Sequence, residues 1–351
     1  MTESLTEYLS ASRLADLLQR AQTCRVGVVG DLALDGYWTA DMTRSLLSRE
    51  TPRFPRPIVR ERYAPGAGGN VAQNLAALGV AEVHAFSVLG EDWRGAILRR
   101  ELAARSVSVE HCLQSARRST PTYIKPVLIG YEAQQEDSRL DFENPQPLDR
   151  DLEDALIAEV ASVVSQLDAL VVADQFEVNG TVTDRVREAL IAMAQEHART
   201  VFVVDSRQRI SAFQEMVLKP NWAEATHALG MQSKPRGETP PLNEVAAVAR
   251  ALSEKARRPV CVTLGGSGAL VWDGEPAIVP AAPIHPPLDP VGAGDAFVAA
   301  LATCMGCGAT PPEAVAFANL AAAVTVEKLG ETGTATPDEI RARYALAQEA
   351  R

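Results

Sequence analysis

Short, continuously apolar segments recur along the chain and alternate with stretches of helical periodicity. The segments lie at 25–31, 84–89, 168–173, 200–205 and 259–264. Apolar runs of this kind are typical of strands buried on both faces, and helices between such strands indicate parallel pairing. The pattern therefore predicts an α/β fold in which helices cover both faces of a mostly parallel sheet.

A helix is predicted before the first strand. Ser4 and Glu7 have the spacing of a capping box. An approximately helical apolar stripe follows, formed by the leucines at 5, 9, 14, 17 and 18.

Two stretches interrupt the alternation of strands and helices. The first, 37–62, is basic and rich in prolines in its second half, and the second, 120–142, contains the extended run 123–129. We interpret them together as a small β lid. Inserted between elements of the main sheet, such a lid would cover the carboxyl ends of the strands, where ligands of doubly wound folds bind.

Charge and hydropathy limit the classes of partner. The 351 residues include 45 acidic and 34 basic side chains, which give a net charge of −11. This balance argues against nucleic acid or an anionic membrane as the main partner and favours small ligands. No apolar run approaches the roughly 20 residues of a membrane span, and the first residues do not resemble a signal peptide. We therefore expect a cytoplasmic protein.

The cysteines and histidines suggest no chemistry of their own. Five cysteines are an odd number in a large chain, which favours reduced thiols over a disulfide framework. Cys304 and Cys307 have the spacing of a redox or metal pair, but the chain has no second pair of this kind. The histidines are scattered without ligand spacing. We assign none of these residues a catalytic role.

The most informative polar segment is 289–297, Asp-Pro-Val-Gly-Ala-Gly-Asp-Ala-Phe. Because Gly292, Ala293 and Gly294 carry little or no side chain, their backbone N–H groups can surround an anion at the start of a helix. Asp295 is placed to take the proton of an attacking hydroxyl while the turn holds phosphoryl oxygens. Taken alone, the segment equally fits a capped helix after a glycine turn.

Polar groups also follow the first strand. Asp31 and Asp35 lie four apart, and Asp35 is a candidate for binding sugar hydroxyls, although the pair is as typical of a capped loop. The run 65–74 then offers glycines, amides and a helix start, which suit close backbone approach to a polyol. A Rossmann nucleotide turn competes with this interpretation, but that motif follows the first strand directly, and here about thirty-five residues intervene.

Two weaker motifs lie further along the chain. Asn221 and Glu224 are three apart at a predicted helix start, and 263–268 is a glycine turn after an apolar strand. Asn319 lies in an alanine-rich helix. Each has an ordinary structural interpretation, as a helix cap, a hairpin turn and a packed helix.

Together and in this order, the motifs resemble the PfkB, or ribokinase-like, family of carbohydrate kinases. The run 68–76, Gly-Gly-Asn-Val-Ala-Gln-Asn-Leu-Ala, is similar to the first family signature, and 292–295 is similar to the second. The resemblance covers nearly the whole chain. It implies one kinase domain over 1–351, a ribokinase-like three-layer α/β/α sandwich with a mostly parallel central sheet and a small β lid from about 37–62 and 120–142.

The resemblance also implies residue roles, with ATP and Mg²⁺ as cofactors. Asp295 would be the catalytic base and the turn formed by Gly292, Ala293 and Gly294 the anion hole. The implied contacts to the sugar are Asp35, Gly68, Gly69 and Asn70. The implied contacts to the nucleotide, its phosphates and Mg²⁺ are Asn221, Glu224 (through water), Gly266, Gly268 and Asn319.

One departure concerns a monovalent cation. The family usually has Thr after the first Asp of its second signature, whereas Pro290 lacks that hydroxyl and a backbone N–H. A K⁺ site near Asp289 therefore stays an open alternative.

Within the family, the chain is similar to the heptose 7-phosphate kinase branch, which implies phosphorylation at the anomeric position. The matching segments are Tyr37-Trp38, Gln134-Gln135, 139–143, 328–330 and 333–336. The first lid segment departs from this branch, which typically has Arg-Ile-Ser-Pro-Glu-Ala-Pro-Val-Pro where this chain has 44–52. Because the chain ends near the last family helix, we expect no nucleotidyltransferase domain of the kind that bifunctional members carry.

Two further expectations and three alternative functions remain. Arg44, Arg49 or Arg139 is a candidate for binding a phosphate already on the substrate, and the exposed edge of a β lid predicts a homodimer. A ribose or fructose kinase of the same family is one alternative. A catalytically silent binding protein of this fold is another, and a nicotinamide dehydrogenase is disfavoured by the misplaced glycine motif.

Overall fold

The structure is a computed structural model that describes residues 4–130, 133–231, 240–330 and 332–349. The strands in these residues are β1 (Arg25–Gly30), β2 (Leu32–Asp41), β3 (Ile58–Ala67), β4 (Glu82–Gly90), β5 (Val107–Ser108), β6 (Cys112–Ser115), β7 (Thr122–Gly130), β8 (Ala133–Glu136), β9 (Leu140–Phe142), β10 (Ala169–Asp174), β11 (Val201–Ser206), β12 (Val217–Leu218), β13 (Val260–Thr263), β14 (Ala269–Trp272) and β15 (Pro276–Val279).

The helices of the same residues are α1 (Leu5–Tyr8), α2 (Ala11–Ala21), α3 (Gly68–Ala77), α4 (Trp93–Ala103), α5 (Arg150–Val163), α6 (Asp184–Glu196), α7 (Trp222–Ala228), α8 (Leu242–Ala256), α9 (Ala293–Gly306), α10 (Pro311–Val326) and α11 (Pro337–Glu349). Within the described ranges, none of these helices combines the length and the apolar character that crossing a membrane requires.

The central sheet has ten strands in the order β15-β14-β13-β12-β11-β10-β1-β4-β5, with β6 also paired to β4. Neighbours from β13 to β5 run parallel, and β14 and β15 are antiparallel additions at one edge. The prediction of a mostly parallel central sheet is confirmed.

Alternate side chains of the sheet enter two separate cores. Val28 and Val171 pack with residues of α2, α3, α9, α10 and α11, whereas Val29, Leu170 and Val172 pack with residues of α5, α6 and α8. Because both faces are covered, the strands need apolar residues at every position, as the continuous apolar runs indicated. The molecule is therefore a three-layer α/β/α sandwich.

A second, five-stranded sheet has the order β3-β2-β7-β8, with β9 also paired to β7, and we call it the lid sheet. It joins the central sheet at the carboxyl end of β1, since β2 begins after Asp31 alone. Gly30 allows this junction, because its φ is +132° and a Cβ there would lie 2.2 Å from the Ala173 carbonyl oxygen. Closure of this sheet over a substrate stays a prediction.

The amino-terminal prediction needs a correction. The first helix ends at Tyr8, and a second begins at Ala11 because Ser10 accepts a hydrogen bond from the Arg13 N–H and caps it. Ser4 accepts from the Thr6 N–H instead of completing a capping box with Glu7.

All five cysteines lie in described residues. Each is buried, and none forms a disulfide.

Candidate active site

The two signature motifs meet at Asp295. Helix α9 begins at Ala293 after Gly292, whose φ is +83°, so Asp295 lies in the first turn of the helix as the sequence predicted. Asn70, in the first turn of α3, donates a hydrogen bond from Nδ2 to Asp295 Oδ2 at 2.6 Å. Residues 225 positions apart in the chain are thus joined by one short hydrogen bond.

Neighbouring amides fix the orientation of Asn70. Gln73 Nε2 donates to Asn70 Oδ1 at 2.6 Å, and Asn74 Nδ2 donates to the Asn70 carbonyl oxygen at 2.8 Å. Because Oδ1 accepts on that side, Nδ2 faces Asp295. Gly292 is also required here, since a Cβ on it would lie 3.0 Å from Asn70 Nδ2.

Burial raises the pKa of Asp295 to about 7. The hydrogen bond from Asn70 acts in the opposite direction, Asp205 raises the pKa further, and Lys219 and Arg207 lower it. A carboxyl group that titrates near neutral pH is suited to accept a proton as a general base.

Lys219 is a site residue that the sequence analysis did not single out. Its ammonium is buried and lies 3.1 Å from Asp205 Oδ1 and 3.9 Å from where a Cβ on Gly294 would be. Burial lowers the pKa of Lys219, but Asp205 and Glu224 more than compensate and hold it above its ordinary value. A buried cation therefore lies beside the turn 292–294, which we call the anion turn. A lysine between the apolar run 216–218 and Pro220 was the available signal.

Asn221 and Glu224 form the start of α7. The Glu224 N–H donates to Asn221 Oδ1 at 2.9 Å, and the Asn221 N–H donates to Glu224 Oε2 at 2.8 Å. This is a complete capping box. Burial raises the pKa of Glu224, and Lys219 opposes that rise. Among the described residues Glu224 Oε1 has no hydrogen-bond donor, so the cap leaves one carboxylate oxygen for another ligand.

On one side of Asp295 lies a cavity of about 370 Å³, which we call the apolar cavity. Small residues predominate in its lining, which includes the predicted nucleotide residues Gly266, Gly268 and Asn319 together with Ala293 and Gly294. Asn319 Nδ2 donates to the carbonyl oxygens of Val279 and Pro280, at 3.2 and 3.0 Å. Its amide nitrogen therefore holds the end of β15.

A second cavity, of about 380 Å³, lies between the lid sheet and the strand ends that follow β10 and β11, and we call it the polar cavity. Its lining includes Tyr123, Arg139, Gln175, Phe176 and Arg207. The cavity thus combines two aromatic rings with amide and charged groups, a composition suited to a polyol.

Asp35 lies in β2 and is only 8% exposed. Its carboxylate packs against β3, where a Cβ on Gly66 would lie 2.9 Å from it. Burial raises the pKa of Asp35, and Lys125 and Arg139 lower it. Arg139, which also lines the polar cavity, is therefore close enough to Asp35 to affect its charge.

Gly68 and Gly69 begin α3 beside Asn70. A Cβ on Gly68 would lie 2.8 Å from the Asp31 carbonyl oxygen, so close packing already requires glycine there. A contact with sugar at these two positions stays a prediction.

Asp289 uses both carboxylate oxygens within the protein. Oδ1 accepts from the Val291 N–H at 3.0 Å and Oδ2 from the Gly330 N–H at 3.3 Å. Within the described part of the chain, no three His, Cys, Asp or Glu side chains come together to hold a metal ion. K⁺ binding near Asp289 stays a prediction.

The three arginines that are candidates for binding a substrate phosphate lie in different parts of the structure. Arg44 lies 3.3 Å from Asp41 in an ion pair, and neither Arg44 nor Arg49 lines the apolar or the polar cavity. Of the three candidates, Arg139 alone lines either of these two cavities.

Comparison with known proteins matches residues 49–339 to the family model described as pfkB family carbohydrate kinase. The bifunctional protein HldE of Gluconobacter oxydans is 33% identical over 327 residues, which cover 90% of this chain and 63% of that protein. This chain therefore spans less than two thirds of the length of that relative.

Two solved structures share the fold. Phosphofructokinase-2 from Escherichia coli in complex with potassium has a TM-score of 0.72 and 21% identity, covering 93% of this chain and 100% of that one. Ribokinase from Thermotoga maritima has a TM-score of 0.66 and 20% identity, covering 92% of this chain and 99% of that one. The ribokinase-like fold predicted from the sequence is confirmed.

Proposed function

The chain belongs to the pfkB family of carbohydrate kinases, and we propose that it transfers a phosphoryl group from ATP to the anomeric hydroxyl of heptose 7-phosphate. The observation that carries this proposal is the 2.6 Å hydrogen bond between Asn70 and Asp295. It holds a carboxyl group with a pKa of about 7, next to Ala293 and Gly294 of the apolar cavity and close enough to Arg207 of the polar cavity for that charge to lower the pKa. One cavity suits an adenine base and the other a sugar.

Asp295 accepts the proton of the sugar hydroxyl while the hydroxyl oxygen attacks the terminal phosphorus atom of ATP. The bond between that phosphorus atom and the bridging oxygen breaks, and the electron pair leaves with ADP. The N–H groups of the turn 292–294 and the ammonium of Lys219 stabilise the negative charge on the phosphoryl oxygens. Asn70 holds the carboxylate in position.

The side chains around Lys219 fit a magnesium ion that keeps most of its water and phosphate ligands. Asp205, Glu224 and Asp295 all interact with this one ammonium, and Glu224 has an oxygen without a donor among the described residues. Mg²⁺ is usually held by one or two carboxylates together with phosphate oxygens and water. The ion would neutralise phosphate charge, and Glu224 would orient its water shell, supported by Asn221.

Two features support a heptose phosphate as the acceptor. The segments Gln134-Gln135 and 139–143 are similar to the heptose 7-phosphate kinase branch, and the second of them contributes residues to the polar cavity. The HldE relative matches 90% of this chain.

A homodimer and a K⁺ requirement are further parts of the proposal. The first lid segment and the start of β3 expose large apolar side chains that a second copy would cover; these are Leu46, Leu47, Phe54, Ile58 and Val59. The fold neighbour from Escherichia coli was solved with potassium, which makes the loop of Asp289 the place to look for such an ion.

The test is a panel of acceptors assayed for ATP consumption. It contains heptose 7-phosphate, the same heptose without phosphate, fructose 6-phosphate, fructose and ribose. We expect the highest kcat/KM with heptose 7-phosphate. If fructose or ribose is phosphorylated and no sugar phosphate is, the proposal that heptose 7-phosphate is the acceptor is wrong. The proposal that the protein is a sugar kinase would then still hold. ATP binding without turnover of any acceptor would favour a silent binding protein.

A further inference from the structure

Two arginines line the polar cavity, and among the described residues only one of them forms an ion pair with a carboxylate. Arg139 donates from Nε and Nη2 to the two oxygens of Asp141, both at 2.6 Å. Arg207 makes no ion pair with a carboxylate among the described residues. Two other carboxylates line the cavity, Glu143 and Glu177, and both residues are exposed.

The guanidinium of Arg207 is fixed by neutral groups. Its Nε donates to Gln175 Oε1 at 3.0 Å, and Gln175 Nε2 donates to the Asp205 carbonyl oxygen at 3.2 Å. The bond uses one edge of the guanidinium, so its terminal nitrogens remain available to a ligand. Arg209, two residues later, differs because Asp174 and the Val182 carbonyl oxygen bind it.

Arg207 also lies near the reacting centre. Its positive charge lowers the pKa of Asp295 and the pKa of Tyr123, a residue of β7 on the lid side of the cavity. One cation therefore acts both on the base and on the polar cavity. A sugar whose hydroxyl reaches Asp295 would extend its far end towards Arg207 and this cavity.

We propose that Arg207 binds the phosphate group that the acceptor already carries, and that the polar cavity thereby selects sugar phosphates over free sugars. This inference rests on the proposed function and adds the residue that determines its specificity. Asp141, Glu143 and Asn144 lie in the same lining and would meet hydroxyl groups of the sugar. In the proposed function the phosphates of ATP would meet the turn 292–294 and Lys219, which lies beside Gly294 at the apolar cavity. Arg207 also lowers the pKa of Glu224, so KM for ATP is compared with acceptor binding in the test.

Arg207→Gln is the variant that tests this proposal, with Arg44→Gln as the matched control. Arg44 is an exposed lid arginine paired with Asp41 and lines neither cavity. The acceptors are heptose 7-phosphate and the same heptose without phosphate, assayed at pH 8.5, above the pKa of about 7 of Asp295. Binding of each acceptor is also measured by calorimetry without ATP.

A charge-assisted contact to phosphate predicts that Arg207→Gln weakens binding of heptose 7-phosphate roughly tenfold to a hundredfold, and raises its KM similarly. Binding of the free heptose should change less than about threefold, since a neutral ligand makes no such contact. Arg207→Lys should recover part of the affinity, and Arg44→Gln should behave as the parent protein.

Equal weakening of both acceptors, or a higher KM for ATP with acceptor binding unchanged, would overturn the assignment of Arg207. Those results leave the proposed function in place if the parent protein still phosphorylates heptose 7-phosphate. Conversely, if the parent protein ignores heptose 7-phosphate but binds fructose 6-phosphate in a way that Arg207→Gln abolishes, the heptose acceptor is wrong and the phosphate contact stands.

Discussion

The apolar and the polar cavity are of nearly equal size, about 370 and 380 Å³, but they are built differently. The apolar cavity is formed largely by backbone and small side chains of two glycine turns and two helices. The polar cavity is formed by large polar and aromatic side chains from β7, β9 and the segments that follow β10 and β11.

In the proposed function, this difference would separate the part common to the chemistry from the part that selects the substrate. A site made of backbone tolerates few changes at positions such as Gly268, where an added Cβ would lie 2.2 Å from the Val279 carbonyl oxygen. A site made of side chains can change its ligand by substitution without changing the fold. We therefore expect substitutions at the apolar cavity to affect folding and ATP use, and substitutions at the polar cavity to affect acceptor choice.

The largest effect is expected at Asp295. Asp295→Asn removes the base, and kcat should fall by about 10²–10⁴ while ATP binding is little changed. Steady-state kinetics and calorimetric titration with ATP measure the two quantities, with the exposed Asp338→Asn as control. Near-normal turnover of Asp295→Asn would refute the assignment of the base.

The same variant has an expected signature in stability. Because the pKa of Asp295 is raised in the folded protein, the carboxyl contributes stability at low pH that is lost as pH rises from about 3.8 through about 7. Asp295→Asn should therefore have a higher Tm than the parent protein at pH 8.5, and the difference should shrink towards pH 4.

A smaller but still large effect is expected from Lys219→Met, which removes the cation beside Gly294. We expect kcat to fall by about 10² because the anion turn loses a charged partner. Since Lys219 lowers the pKa of Asp295, the pH at which activity appears should also rise. Lys219→Met leaves the buried Asp205 carboxylate without its ion-pair partner, which can destabilise the fold. The double variant Lys219→Met with Asp205→Asn removes that carboxylate, and so separates the fall in kcat from unfolding. An unchanged pH profile of the folded single variant Lys219→Met would place Lys219 outside the site.

At the apolar cavity, Gly268→Ala and Gly266→Ala form a matched pair. Gly268 has a φ of +90°, and a Cβ there would lie 2.2 Å from the Val279 carbonyl oxygen, whereas a Cβ on Gly266 would meet no atom within 4 Å. Gly268→Ala should lower the free energy of unfolding by about 1–3 kcal/mol and raise KM for ATP. Gly266→Ala should be nearly neutral in denaturant titration. Equal stability of the two variants would contradict this account of the turn.

The smallest effect is expected at Glu224. Glu224→Gln keeps an oxygen for the helix cap but removes the charge, so the Mg²⁺ concentration for half-maximal rate should rise roughly tenfold with little change in Tm. An unchanged Mg²⁺ dependence would mean that Asn221 and Glu224 serve only as a helix cap.

The sequence predicted the fold because the fold depends on local patterns, and the reacting centre stays a prediction that rests on patterns of the same kind. Continuous apolar runs such as 168–173 indicated strands covered on both faces, and the small residues before Asp295 indicated an anion turn. No local pattern predicts the bond between Asn70 and Asp295, since only the folded chain brings α3 and α9 together.

The residues of the polar cavity are harder to predict from the sequence because they come together only through tertiary contacts. Arg207 follows β11 in a segment without a glycine motif, and its proposed role depends on Gln175 and on the lid sheet. Lys219 was overlooked because a lysine after an apolar run is more often exposed. Arg44 and Arg49 were candidates for phosphate binding because of their charge alone, and neither of them lines the apolar or the polar cavity.

The measurement that tests the central claim most directly is the pH dependence of kcat/KM for the acceptor, with heptose 7-phosphate and the free heptose compared. If Asp295, held by Asn70, is the base, both profiles should fall below a midpoint near pH 7, since protonation removes the acceptor for the hydroxyl proton. If kcat/KM falls at low pH only with the phosphorylated acceptor, the group that titrates is the phosphate of that acceptor and not Asp295. A flat profile between pH 5.5 and 8.5 with both acceptors would contradict the account.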